Sequence, residues 1–139
     1  MAKNDKKLEL TWYHKDKSLY YDSAKKEYLW VDKKDPRVSE PRILLEKGSY
    51  GEKGLDNILI KGDNLLALKA LLPDFEGKVK LIYIDPPFNT GAGFEHYDDG
   101  LEHSIWLTMM RDRLQLLKQF LRRDGKIFAH VDWHEMARL

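Results

Sequence analysis

Asp85, Pro86, Pro87 and Phe88 follow directly on the apolar run LIYI. A carboxylate at the exit of a buried strand is well placed to accept hydrogen bonds from a ligand. Pro86 and Pro87 have no N–H and fixed φ angles, so their carbonyls sit on stiff backbone outside an ordinary ladder. Carboxylate plus rigid carbonyls make an acceptor-only pocket. Such a pocket suits a group that donates two hydrogen bonds, such as an exocyclic amino group. Phe88 adds a flat apolar face beside it. Acceptor pair and aromatic plate together fit a nucleobase held by its amino edge and stacked on its ring. The same four residues can also be a plain strand terminator with Phe88 in the core.

The surrounding pattern predicts elements able to place that pocket on a sheet rim. NILI, residues 57–60, reads as a short strand, and GDN as a turn in which Asp63 or Asn64 can cap a helix. LLALKALLPDF reads as that helix, ending at or before Pro73. VKLIYI is a β-rich run expected to be buried on both faces. Residues 89–100 read as a long glycine-containing loop with His96 in it and His103 just beyond, both expected to cap or solvate it rather than catalyse. Apolar residues at 105, 106, 109, 110, 114, 117, 120 and 121 have helical spacing, so a helix is expected over 102–122, closed by RDG. KIFAHV is another strand, and DWHEMARL the opening of one more helix. Strands alternating with helices predict an α/β fold with a mostly parallel sheet and helices on both faces. Ligands of such sheets bind beyond the carboxyl ends of the strands. Asp63, Asp85 and Asp132 should therefore share one rim.

Residues 1–56 form an extension without a clear period. KSLYYD and KEYLWVD are expected to pair as a hairpin across SAKK, and DPRVSEPR and GSYGEKG to be turn and loop. The 139 residues are about one domain's worth and enough for a real core. Positive and negative side chains nearly cancel, at net +1, so any basic surface must be local. With no cysteine, disulfides and thiolate metal sites are excluded. No apolar run approaches the ~18 residues of a membrane span. MAKNDKKLEL lacks the apolar core of a signal peptide, so a cytoplasmic protein is expected.

DPPF resembles the catalytic motif of amino-group DNA methyltransferases. The resemblance extends to EPRILLE, ILIKGDNLLALKAL, VKLIYIDPPFNTG and FEHYDDGLEHSIWLTMMRDRLQLLKQFLRRDGKIF. These look like the N-terminal part of the β-class, adenine-N6 enzymes, among them the modification subunits of type III restriction systems. It is close over residues 41–139 and loose over 8–40. It implies part of a Rossmann-like methyltransferase sheet, with S-adenosylmethionine as cofactor and DNA as substrate. It also implies a possible restriction subunit or second modification subunit as partner. By that resemblance Asp85 and the Pro86 carbonyl accept from the target amino group, Pro87 belongs to the same catalytic motif, and Phe88 stacks on the extruded base. Extrusion costs a few kcal/mol, of which stacking returns about 1–3 kcal/mol. The family often has Tyr where this chain has Phe88. Asp63 is the candidate contact to the cofactor's adenosine, and equally a helix N-cap. The 89–100 loop resembles the one over the target base. HVDW departs from the family's acid-rich turn, often IDDNE, and Asp132 receives no role.

These enzymes need an F-x-G-x-G turn for the cofactor, and none occurs in the 139 residues. In the β class that turn follows the catalytic half. The chain is therefore expected to be the catalytic-motif half, 57–139 behind its extension, cut before the cofactor turn and the target-recognition region, and inactive alone. Two rivals remain. His130, Asp132 and His134 at alternate positions would suit a metal hydrolase if the strand continued. Lysines interleaved with Tyr20, Tyr21, Tyr28 and Trp30 would suit nucleic-acid binding by the extension, although a hairpin packing its aromatics on the sheet explains them as well.

Overall fold

The structure is a computed structural model that describes residues 9–52, 57–89, 93–94, 97–98 and 102–139. Strands β1 (Ser18–Asp22) and β2 (Glu27–Val31) pair antiparallel as the expected hairpin, with Ser18 opposite Val31 and Asp22 opposite Glu27. DPRV is not simple turn. Asp35 takes the Arg37 N–H and Pro36 stands at the first position, so a short helix α1 (Pro36–Ser39) forms there.

Residues 57–60 belong to no strand, and Ile58 and Leu59 are exposed. The apolar run thus lacks a sheet neighbour among the described residues, and the expected strand does not form. Helix α2 (Asn64–Phe75) begins with Asp63 as N-cap and runs through Pro73. Pro73 sits in the last turn. It loses only its own N–H, and the Glu76 N–H still reaches the Leu72 carbonyl at 3.0 Å.

Strand β3 (Val79–Ile84) and strand β6 (Leu121–Ala129) pair in parallel, with Ile82 opposite Ile127 and Ile84 opposite Ala129. Between them in sequence lie a small antiparallel pair, β4 (Gly93–Phe94) and β5 (Tyr97–Asp98), and helix α3 (His103–Phe120). The expected helix to 122 stops two residues early. Leu121 already faces Val79, and the strand then bulges before Lys126 meets Leu81. Gly125 lies in this bulge, where an added Cβ would come within 2.9 Å of the Val79 carbonyl and the Leu121 side chain. After β6 comes the expected short helix, α4 (Trp133–Met136).

Helix α3 is the centre of the molecule. Its residues 106–110 are buried in unbroken succession, so this half is enclosed on every side. One side meets the hairpin, where Leu19, Trp12, Tyr28 and Trp30 pack with Trp106, Leu107, Met109 and Met110. Further along, Leu117 and Phe120 join Ile82 from the sheet and Leu68, Leu71 and Leu72 from α2. Both long helices therefore share the Ile82 face. The opposite face carries Leu81 and Tyr83 and is exposed, so β3 is covered on one face where burial on two was expected, and helices do not flank both sides among the described residues. Of the hairpin aromatics, Tyr28 and Trp30 pack against the α3 cluster, Tyr20 joins Val31, Val38 and Leu65, and Tyr21 is exposed. Among the described residues, no helix is long and apolar enough to cross a membrane.

Gly125→Ala should destabilise the chain by about 1–3 kcal/mol, the usual range for overpacking. The added methyl meets backbone that cannot swing away. Urea unfolding checks this; an unchanged midpoint would mean that the bulge relaxes freely.

Candidate active site

Among the described residues, five aspartates close the same local ring. Asp22, Asp32, Asp35, Asp63 and Asp132 each accept the backbone N–H two residues on, from Ala24, Lys34, Arg37, Leu65 and His134, at 2.9 to 3.1 Å. This is the ordinary behaviour of Asp at turns and helix starts. Asp85 is different for a covalent reason. The residue two positions on is Pro87, which has no N–H to give. Its carboxylate stays 62% exposed, with His130 Nδ1 at 3.4 Å from Oδ1.

The backbone after Asp85 is held by α3. Trp106 is fully buried, and its indole Nε1–H donates to the Pro87 carbonyl at 2.7 Å. A buried indole N–H needs such a partner. Pro86, Pro87 and Phe88 are half-buried. The Phe88 ring meets the His130 ring edge-on, with centroids 5.0 Å apart and planes at 77°. His130 itself is placed by β6, since its N–H donates to the Ile84 carbonyl at 2.9 Å. Asn89 then turns into the left-handed region at φ 60°, which Asn tolerates better than most residues.

Asn89 leads to a group that the sequence reading passed over. Glu135 of α4 is completely buried. Its Oε1 accepts from Asn89 Nδ2 and lies 2.7 Å from His103 Nδ1, and its Oε2 lies 3.3 Å from Arg138 Nη1. A buried carboxylate requires this kind of compensation. The only signal in the sequence was an acid at an inward position of a short helix, which pattern alone does not separate from a solvated one. His103, expected to cap or solvate the loop, is instead one of its partners; Glu102 is the N-cap of α3, bonded to the Ile105 N–H.

Asp85, Pro86, Pro87 and Phe88 lie at the carboxyl end of β3, and His130, just past β6, meets Asp85 and Phe88. Asp63 has other partners. It caps α2 through Oδ1, and Oδ2 faces Arg113 Nη2 at 3.4 Å, seven residues along α3 from Trp106. Arg113 also donates to Asn64 Oδ1. Burial pulls the Arg113 guanidinium below its ordinary value, and the Asp63 charge opposes that shift. The capping role is thus real, and the charge has a fixed partner. The alternate spacing of His130, Asp132 and His134 does not put them on one face. His130 turns to Asp85 and Phe88, whereas His134 pairs with Asp132. Among the described residues no three such groups have metal-binding spacing. The rest of the 89–100 loop, including His96, lies outside the described residues except for the backbone of the β4–β5 pair.

Residues 79–139, which carry β3, the motif, α3, β6 and α4, match the DNA methylase family. Named relatives include Mod subunits of type III restriction-modification enzymes and type II methyltransferases. The chain is 52% identical over 84 residues to the probable type III restriction-modification enzyme HindVI Mod subunit of Haemophilus influenzae, covering 60% of this chain and 11% of that protein. It is 36% identical to the type III enzyme EcoP15I Mod subunit of Escherichia coli, over 63% of this chain and 18% of that one. It is 38% identical to the type II methyltransferase M.EcaI of Enterobacter cloacae, over 86% of this chain and 27% of that one. The chain thus spans little more than a quarter of the length of these relatives at most.

Asp63→Ala should cost about 1 kcal/mol, the usual value of a lost N-cap, while Asp63→Asn should cost only a few tenths because Asn caps as well. Denaturant melts of the two variants check this. Equal losses would mean that the Arg113 pair, not the cap, holds the start of α2.

Proposed function

We infer that this chain carries the target-base side of a site-specific DNA methyltransferase that modifies adenine N6 and takes its methyl group from S-adenosylmethionine. The observation that carries the reading is Asp85. It is the aspartate whose local capping partner is removed by a proline, and it sits in the segment that matches the DNA methylase family. A carboxylate left open in this way can accept from an amino group, with the Pro86 carbonyl as second acceptor. Accepting two N–H bonds keeps electron density on the nitrogen and so favours its attack on an electrophilic methyl. Phe88, held edge-on to His130, is the plate for the extruded base. Aspartate at the first motif position, by the family resemblance, favours adenine over cytosine.

The half-exposed Asp63 side chain keeps acceptor capacity beyond its cap, which fits a hydroxyl-bearing ligand such as the adenosine of S-adenosylmethionine; that group, when bound, supplies the methyl. The parallel β3–β6 pair would be part of a Rossmann-like sheet, with residues 1–56 as an extension on the catalytic-motif half, 57–139. DNA is the substrate of this reading. A restriction subunit or a second modification subunit is the protein partner that the relatives' names suggest.

Methyl transfer to DNA by residues 1–139 alone is expected to be nil, because no F-x-G-x-G turn occurs among them. Joined to a polypeptide that supplies that turn, the chain should transfer radiolabelled methyl groups. Asp85→Ala should then reduce the rate by at least about 10²-fold, as for loss of one aligned transition-state contact. Full activity in the Asp85→Ala protein would sink the assignment. Pro87→Ala offers a second check, since it returns an N–H two residues after Asp85. That new amide should be protected in hydrogen exchange and the rate should fall, because the carboxylate is drawn into a local ring; a solvent-exchanging amide with wild-type rate would show that the proline has no such role.

A further inference from the structure

Glu135 belongs to α4 and is the most deeply buried acid of the described residues. Its partners are unusual in their placement. Asn89 is the residue at which the chain leaves the motif, and His103 is the residue at which α3 begins. Both ends of the connection between β3 and α3 therefore meet on one carboxylate oxygen. Three residues after His103, Trp106 donates to Pro87. The motif is consequently clamped twice, at Pro87 by α3 and at Asn89 by α4. The two clamps are joined through His103.

We propose that Glu135 is a positioning residue for the base pocket, fixing the direction in which Phe88 and Asn89 leave β3 by holding Asn89 and His103 together. The inference rests on the reading of residues 85–88 as the base pocket, but its geometry can be tested without any methyl transfer. Buried carboxylates are costly unless fully bonded. This one is bonded to the chain on either side of the motif's exit, and Arg138 at 3.3 Å offsets its charge. Asn89 accepts a left-handed backbone at the same point, and its side-chain bond to Glu135 holds that conformation in place.

The chain contains its own pair of reporters. The indole N–H of Trp106 reads the motif through Pro87, and the indole N–H of Trp12 reads the packing of α3 through Thr108 Oγ1 at 2.7 Å. Nitrogen-15 spectra of the 139-residue chain separate the two. In Glu135→Ala, the Trp106 indole signal should move and its hydrogen exchange should quicken about tenfold, equivalent to about 1.4 kcal/mol of local protection. The Trp12 signal should stay in place. Glu135→Gln keeps an acceptor oxygen for Asn89 and should restore the Trp106 signal. Asn89→Gly removes the amide while easing the positive φ, and should move Trp106 as Glu135→Ala does. If Glu135→Ala does not fold, Asn89→Gly decides the matter. An unmoved Trp106 signal, or Trp12 and Trp106 moving together, would overturn the proposal and leave Glu135 a core residue only. Neither result bears on the Asp85→Ala rate, so failure of the base-pocket reading would be seen separately.

Discussion

The bond from the Trp106 indole to the Pro87 carbonyl is the constraint on which most of this structure depends. Trp106 has no exposed surface. Its ring lies where the hairpin, α3 and the end of β3 converge, packed with Leu19, Met109 and Met110. Enclosed there, the indole N–H must find an acceptor, and the motif supplies it. Site and core are thus one object. Anything that loosens the packing of α3 also loosens the backbone next to Asp85, and the hairpin at residues 18–31 contributes to the site without touching it. Arg111 strengthens the same arrangement. It donates to the carbonyls of Lys15 and Lys17 and lies against the Trp12 ring, so the segment before the hairpin is tied to the middle of α3.

The elements legible in the sequence were those whose pattern is local. The hairpin across SAKK, the cap at Asp63, the long amphipathic helix and the parallel pair around it follow from alternation, capping chemistry and helical spacing. Those misread depend on neighbours. NILI has the composition of a strand, but a strand exists only where another is available to pair with it. Pro73 reads as a stop, yet a proline in a last turn sacrifices one bond in a helix otherwise held by Leu68, Leu71 and Leu72 against Phe120. VKLIYI looks doubly buried because both of its faces are apolar, whereas only the Ile82 face meets helices.

The site divides in the same way. Asp85 to Phe88 stand out as candidates because they are consecutive and chemically unusual. Glu135 does not, because its importance comes from Asn89 and His103, 46 and 32 residues away in sequence. His130 was singled out for the wrong reason. Alternation with Asp132 and His134 suggested a shared face, but the strand ends at Ala129 and α4 begins at Trp133, which sends the two histidines to different partners.

A turn-forming aspartate normally spends its carboxylate on its own backbone, and this chain does so at Asp22, Asp32, Asp35, Asp63 and Asp132. A carboxylate used in that way stabilises the fold but has one fewer oxygen lone pair to offer a ligand. Keeping it open at a strand end requires removing the N–H two residues on. Only proline does so without shortening the chain. The second proline of the motif thus has a purpose distinct from the first. Pro86 fixes the backbone that follows the carboxylate, whereas Pro87 offers that carboxylate no N–H two residues on. Its own carbonyl, freed from any ladder, is then available to Trp106. One residue leaves the acid open and anchors the loop, which is why two consecutive prolines, rather than one, suit an acceptor pocket at this position.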